Sequence, residues 1–262
     1  MSALLEADIS VDYPGRPGAL RDLCLSIEEG EIVGLCGESG SGKSTLALAI
    51  PGLLDWKGGT VRGRIEFDGR DLSRLPAGEM RAIRGRDLAL VLQSPLASLN
   101  PALRVGAQMR EAWRAHRHDG DWKTRALELF ERVRLPREEG FLGRYPRQLS
   151  VGQAQRVLIA MAVLHSPRLL IADEPTSALD AITHAETLDL FRDLARDLNM
   201  ALLFISHDLL SVASLCDRIA VLQEGRIVES GSAAEVFASP RHPYTRALLG
   251  AIPRVPETCL TG

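Results

Sequence analysis

The run Gly37-Glu38-Ser39-Gly40-Ser41-Gly42-Lys43-Ser44-Thr45 lies between a short apolar segment, Glu31 to Cys36, and a stretch with helical periodicity. It fits G-x-x-x-x-G-K-[ST], and a strand before it and a helix after it are the context that pattern needs. The glycines let successive backbone N–H groups wrap phosphate oxygens without a side-chain clash. The helix that follows points its positive dipole end at the same anion. Lys43 would reach the β- and γ-phosphates, and the Ser44 hydroxyl would ligate Mg²⁺. Alone, the motif specifies a nucleoside triphosphate and does not separate a kinase, a GTPase and a transport ATPase.

A second constellation is Leu169-Leu-Ile-Ala-Asp173-Glu174, an apolar strand ending in two acids. An Asp at the C-terminal end of such a strand can hold Mg²⁺, directly or through water. A Glu beside it can polarise an attacking water. Two carboxylates next to a metal and phosphates are costly to bury unless they are used.

The elements that must position these groups alternate between strand and helix. Leu4 to Val11 and Ala19 to Ile27 read as strands, and Thr60 to Leu72 as a hairpin around Phe67-Asp-Gly. Buried parallel strands are expected at Glu31–Cys36, Leu88–Gln93, Leu169–Asp173 and Ala201–Ser206. Helices are expected over Ser44–Leu54, Gln153–Leu164 and Asp180–Leu198. Two final strands are expected between Ile219 and Ser230. From Pro95 to His165 the texture is helical, with His116 to Asp121 as a polar loop. This order predicts a mainly parallel α/β sheet with an inserted helical block. His116 and His118 read as solvated loop residues, with no further ligand to make a metal site.

The chain has 262 residues, 45% hydrophobic and 25% charged, with a net charge of -3. Without a basic excess, nucleic acid is not favoured as a partner. Cys24, Cys36, Cys216 and Cys259 have neither metal-ligand nor disulfide-framework spacing, which fits a reducing cytoplasm. The first residues have no secretory pattern, and no apolar run is long enough to span a bilayer, so membrane-spanning parts would come from other chains.

Between the two constellations lies Leu149-Ser150-Val151-Gly152-Gln153, which resembles the LSGGQ signature of ABC ATPases. Tyr13, Gln93, Ser177-Ala-Leu-Asp180 and His207 match that family's A-loop aromatic, Q-loop, D-loop and switch histidine, in order. The resemblance implies an α/β fold: a P-loop NTPase (RecA-like) core with an antiparallel β subdomain and an inserted α-helical subdomain. It implies residues 1–93 and 166–230 as core with β subdomain, 94–165 as helical subdomain and 231–262 as a C-terminal extension. Tyr13 would stack on adenine. Gln93 would sense Mg²⁺ and the lytic water, Glu174 would be the base, and His207 would bind the γ-phosphate. Ser150 and the Gly152 amide would clamp the γ-phosphate of ATP held by an opposite subunit, and Asp180 would touch that subunit's phosphate loop. Val151 stands where the family usually has its first signature glycine and adds β-branched bulk near the phosphate, but Ser150 and Gly152 remain, so the clamp is expected to survive in weakened form.

Gln93-Ser-Pro-Leu-Ala-Ser-Leu-Asn-Pro101 and His242-Pro-Tyr-Thr-Arg-Ala-Leu-Leu249 resemble stretches of the oligopeptide, dipeptide and nickel importer branch. That resemblance implies ATP and Mg²⁺ as cofactors and a second ATPase, identical or paralogous, as partner. It also implies two permease subunits and, indirectly, an extracytoplasmic solute-binding protein, with the chain at the cytoplasmic face of the membrane. Peptide is the first expectation for cargo and nickel or a metal–chelator complex the second. The chain ends soon after Cys259, so no iron–sulfur cluster is expected. Rival readings are a non-transport ABC ATPase of DNA repair or translation, and a P-loop kinase or GTPase. The first usually needs two cassettes or a coiled-coil insertion, and the second leaves Ser150 and His207 unexplained.

Overall fold

A computed structural model describes residues 3–117 and 119–252. Among these residues ten strands form two sheets. The antiparallel sheet has the order β2-β1-β4-β5, from β1 (Leu5–Tyr13), β2 (Arg16–Ile27), β4 (Thr60–Phe67) and β5 (Arg70–Asp71). The larger sheet has the order β10-β9-β3-β8-β7-β6. In it β3 (Ile32–Cys36), β6 (Leu88–Val91), β7 (Leu169–Asp173), β8 (Ala201–Ile205) and β9 (Arg218–Gln223) are parallel. β10 (Arg226–Ser232) closes the edge antiparallel to β9.

The period-2 alternation of the central strands divides the interior in two. Val33 and Leu35, Leu169 and Ile171, and Leu203 and Ile205 face one apolar cluster, shared with β1, β2 and the first helix. Ile32 and Cys36, Leu170 and Ala172, and Leu202 and Phe204 face the other, shared with the helices. A sheet buried on both faces explains why these strands read as unbroken apolar runs. Burying such side chains contributes roughly 1.5–3 kcal/mol each relative to exposure.

The helices are α1 (Lys43–Ala49), α2 (Ala77–Ile83), α3 (Pro95–Ser98), α4 (Val105–Arg114), α5 (Trp122–Arg132) and α6 (Glu139–Leu142). They continue with α7 (Val151–Ala162), α8 (Ala181–Leu198), α9 (Leu209–Leu215), α10 (Ala233–Ala238) and α11 (Pro243–Gly250). α3 to α7 form the block between β6 and β7, where Phe130 and Phe141 meet edge to face at 5.4 Å. α5 and α8 start at the Asp caps Asp121 and Asp180, and α7 starts at Ser150 with Gln153 reaching back, a capping box.

Several boundaries differ from expectation. α1 stops at Ala49 rather than Leu54, because Pro51 has no N–H to continue it and Gly52 takes φ 62°. β6 stops at Val91, so Gln93 stands in the following loop instead of ending the strand. α7 begins two residues earlier than the sequence pattern suggests, because the Ser150 cap and not Gln153 sets its start. His116 is half-buried rather than solvated. Its ring meets His165 edge-on at 5.1 Å, and Trp113 stacks on His165 at 5.6 Å, so aromatic packing draws it in. His118 and Cys259 lie outside the described residues. Among the described residues Cys24, Cys36 and Cys216 form no disulfide.

Candidate functional site

The phosphate loop leaves β3 and enters α1 under pressure from both sides. A Cβ on Gly37, at φ 152°, would lie 2.1 Å from the Leu222 carbonyl oxygen; one on Gly42, at φ 117°, would lie 2.9 Å from that of Ala19. Only glycine fits either position. Lys43 is buried beneath the loop, and its Nζ donates to the carbonyl oxygens of Gly37 at 2.7 Å and Glu38 at 2.9 Å. Burial lowers the pKa of this ammonium, and the Glu174 and Asp173 carboxylates pull it back up. The hydroxyl of Ser41 is buried with no hydrogen-bond partner among the described residues. A buried unpartnered hydroxyl is costly, and a phosphate oxygen accepting from it would remove the cost. Tyr13, at the end of β1, donates its hydroxyl to Thr45 Oγ1 at 3.4 Å, and its ring packs on Gly59, where a Cβ would come within 2.9 Å of Cε1.

β7 delivers Asp173 and Glu174 to the same end of the sheet. Asp173 is buried, and burial raises its pKa while hydrogen bonding with Ser44 opposes the rise. Its Oδ1 has no partner among the described residues. Glu174 takes φ 47°, the left-handed region that L-residues enter at a cost. The backbone enforces it: the Glu174 N–H donates to Ile205 O at 2.9 Å, and its carbonyl accepts from the Ser177 N–H at 3.3 Å and hydroxyl at 3.1 Å. Glu174 Oε2 accepts from Gln93 Nε2 at 3.1 Å and lies 3.3 Å from His207 Nδ1. Three loops, after β6, β7 and β8, thus converge on one carboxylate oxygen. Strain held at such a convergence is characteristic of reactive sites.

The structure therefore brings together Gly37, Glu38, Lys43, Ser44, Thr45 and Tyr13 around the loop, with Asp173, Glu174, Gln93 and His207 beside it. It does not bring Ser150–Gln153 there. Among the described residues those side chains hydrogen-bond only within the helix start: Gln153 N–H to Ser150 Oγ, and Ser150 N–H to Gln153 Oε1, both at 3.2 Å. Asp180 likewise caps α8, accepting from the Thr183 N–H at 3.0 Å and hydroxyl at 2.8 Å. Val151 stands at the first position of α7 and is 37% exposed in its own chain. Gly152 is the tight position: a Cβ there would lie 2.8 Å from Thr183 Cγ2.

Sequence reasoning missed two groups on the loop. Arg16, after the turn beyond Tyr13, donates from Nη2 to Gly40 O at 2.7 Å. Tyr244, in α11, accepts the Glu38 N–H at 2.9 Å. Neither contact has a local signal, since each joins segments distant in sequence.

A protein-family model described as ABC transporter matches residues 20–177. The chain belongs to that family. Residues 228–259 also match a model described as the C-terminal region of oligopeptide/dipeptide transporters. This ABC ATPase is 44% identical to the dipeptide transport ATP-binding protein DppD of Escherichia coli K12, over 96% of this chain and 79% of that one. It is 43% identical to the glutathione import ATP-binding protein GsiA of Escherichia coli O157:H7, over 90% of this chain and 39% of that longer one. A dimeric post-hydrolysis structure of the ATP-binding cassette MJ0796, bound to ADP and Pi, superposes with a TM-score of 0.76 at 29% identity, covering 87% of this chain and 98% of that one. The fold is that of ABC cassettes, and the chain is an ATP-binding, ATP-hydrolysing transport subunit. ABC ATPases of importers dimerise and work with permease components. Among the described residues no helix is long and apolar enough to cross a membrane.

Proposed function

We propose that this chain powers a peptide importer by hydrolysing ATP at a site completed by a second ATPase subunit. It works at the cytoplasmic face of the membrane on two permease subunits supplied by a solute-binding protein. The observation that carries the catalytic part is the convergence of Gln93 and His207 on Glu174 Oε2, beside buried Asp173 and Lys43. The cargo rests on the match of residues 228–259 and on the peptides named for the two relatives.

In this reading the loop amides and Lys43 take the β- and γ-phosphates, the Lys43 ammonium keeping its Gly37 carbonyl partner and turning another N–H to a phosphate oxygen. Tyr13 offers its ring to adenine. Glu174 orients a water and accepts its proton as the water oxygen attacks the γ-phosphorus and the bond to the ADP oxygen breaks. His207 donates to a γ-phosphate oxygen, and Gln93 holds the Glu174 carboxylate in place. Ser44, Asp173 and Gln93 would hold Mg²⁺; the unpartnered Asp173 Oδ1 and the hydroxyl and amide oxygens are the hard donors that ion takes. When bound it neutralises charge on the phosphates. Ser150, the Gly152 amide and Asp180 act on the nucleotide of the opposite subunit. The C-terminal part from residue 231 extends a core interrupted by helical residues 94–165.

Membrane vesicles carrying the chain with its permease should take up labelled dipeptide only with ATP and with Glu174 intact. ATP-driven uptake of nickel and not of peptide would refute the cargo. Lys43→Ala should weaken binding of a fluorescent ATP analogue, and unchanged binding would refute the phosphate site.

A further inference from the structure

The peptide unit joining Gly37 to Glu38 is held at both ends. Its carbonyl oxygen accepts from Lys43 Nζ at 2.7 Å, and its N–H donates to the Tyr244 hydroxyl at 2.9 Å. A peptide is planar, so fixing the direction of the N–H fixes the direction of the carbonyl. From this geometry we propose that Tyr244 is a positioning residue for ATP binding, setting the plane of the Gly37–Glu38 peptide and thereby the place of the Lys43 ammonium. The inference rests on the reading of Lys43 as a phosphate ligand.

Tyr244 can serve this role because α11 is itself anchored. Both Glu229 carboxylate oxygens, on β10, accept backbone N–H groups just before α11, from Arg241 at 2.7 Å and His242 at 2.9 Å. These charge-assisted bonds hold Glu229 below its usual pKa, against the opposing effect of desolvation. His242 Nδ1 accepts the Tyr244 N–H at 3.2 Å and so caps the helix with the residue two before the tyrosine. The Tyr244 ring packs with Leu248 and Leu249 against the helical-side core, and burial raises the pKa of its hydroxyl. A rigid edge strand, a capped helix and one hydroxyl thus join the sheet edge to a loop whose flanking glycine, Gly37, lies at φ 152°. Without that hydroxyl the loop peptide could turn over, since glycine resists rotation little. Lys43 would then lose a carbonyl partner and its place.

Tyr244→Phe keeps the ring and its packing and removes only the hydroxyl. A net hydrogen bond of ordinary strength corresponds to about a fivefold change in affinity. The dissociation constant of a fluorescent ATP analogue should therefore rise about fivefold in Tyr244→Phe, with little change in kcat at saturating ATP. In a Lys43→Ala background the same substitution should change affinity less than about twofold, because the two act through one peptide. Amide hydrogen exchange on the unaltered, nucleotide-free chain gives a check independent of any variant: the Glu38 amide should be protected. Equal affinity of Tyr244→Phe and wild type, an equal loss in both backgrounds, or a fast-exchanging Glu38 amide would overturn the inference. If Lys43→Ala binds the analogue as wild type does, the underlying phosphate-site reading fails instead.

Discussion

Glu174 sits at φ 47°, and its backbone can be tested apart from its carboxylate by comparing Glu174→Ala with Glu174→Gly. In right-handed backbone glycine is the poorer residue by roughly 0.5–1 kcal/mol, because it loses more freedom on folding. In the left-handed region an L-side chain costs roughly 1–2 kcal/mol, which glycine avoids. The difference leaves Glu174→Gly more stable than Glu174→Ala by about 0.5–1 kcal/mol. In a chain of this size that is about 1–4 °C in the unfolding midpoint. The assay is thermal unfolding of the nucleotide-free variants, followed by circular dichroism. Both should lack turnover, as should Glu174→Gln, which keeps nucleotide binding because Lys43 and the loop are untouched. An alanine variant as stable as the glycine variant would refute the claim that strain is stored at the base.

Asp173→Asn should unfold at a higher temperature than wild type without nucleotide at neutral pH. Burial raises the folded carboxyl's pKa above its unfolded value, so the ionised form costs stability in full above the folded pKa, and that cost declines as pH falls from the folded pKa and is gone below the unfolded one. The gain should shrink on acidification, and the variant should lose the Mg²⁺-dependent part of stabilisation by ATP; a gain that grows at low pH contradicts this. Gly152→Ala should cost about 1–3 kcal/mol through contact with Thr183 Cγ2, measured by denaturant unfolding. In a Thr183→Ser background the same change should become neutral or stabilising, since alanine is the better helix residue. Ser150→Ala should cost about 1 kcal/mol by loss of the α7 cap, read from the same unfolding curves.

Much of this site is visible in the linear chain, because its chemistry sits where elements join. Gly37 to Thr45 and Asp173-Glu174 follow apolar strands directly, so type, spacing and context agree. The alternation within β3, β7 and β8 could not show that each strand faces two cores, because both faces are apolar. At Val151 the capping box at Ser150 decides the local structure: it puts the β-branched side chain at an exposed helix start in its own chain. The left-handed turn of Glu174 has no signature in its residue type and comes from bonds to Ile205 and Ser177. Arg16 and Tyr244 reach the loop from segments far away in sequence, which only tertiary packing can bring near.

The composite nature of the site is tested most directly by turnover per chain across a range of protein concentrations, for the wild type and for Ser150→Ala. Among the described residues Ser150 makes its hydrogen bonds only at the start of α7, so nucleotide affinity of the isolated protomer should be unchanged. Wild-type turnover per chain should rise with concentration as subunits pair, and Ser150→Ala should reduce it about tenfold or more. Turnover independent of concentration, at full rate without the Ser150 hydroxyl, would contradict the account.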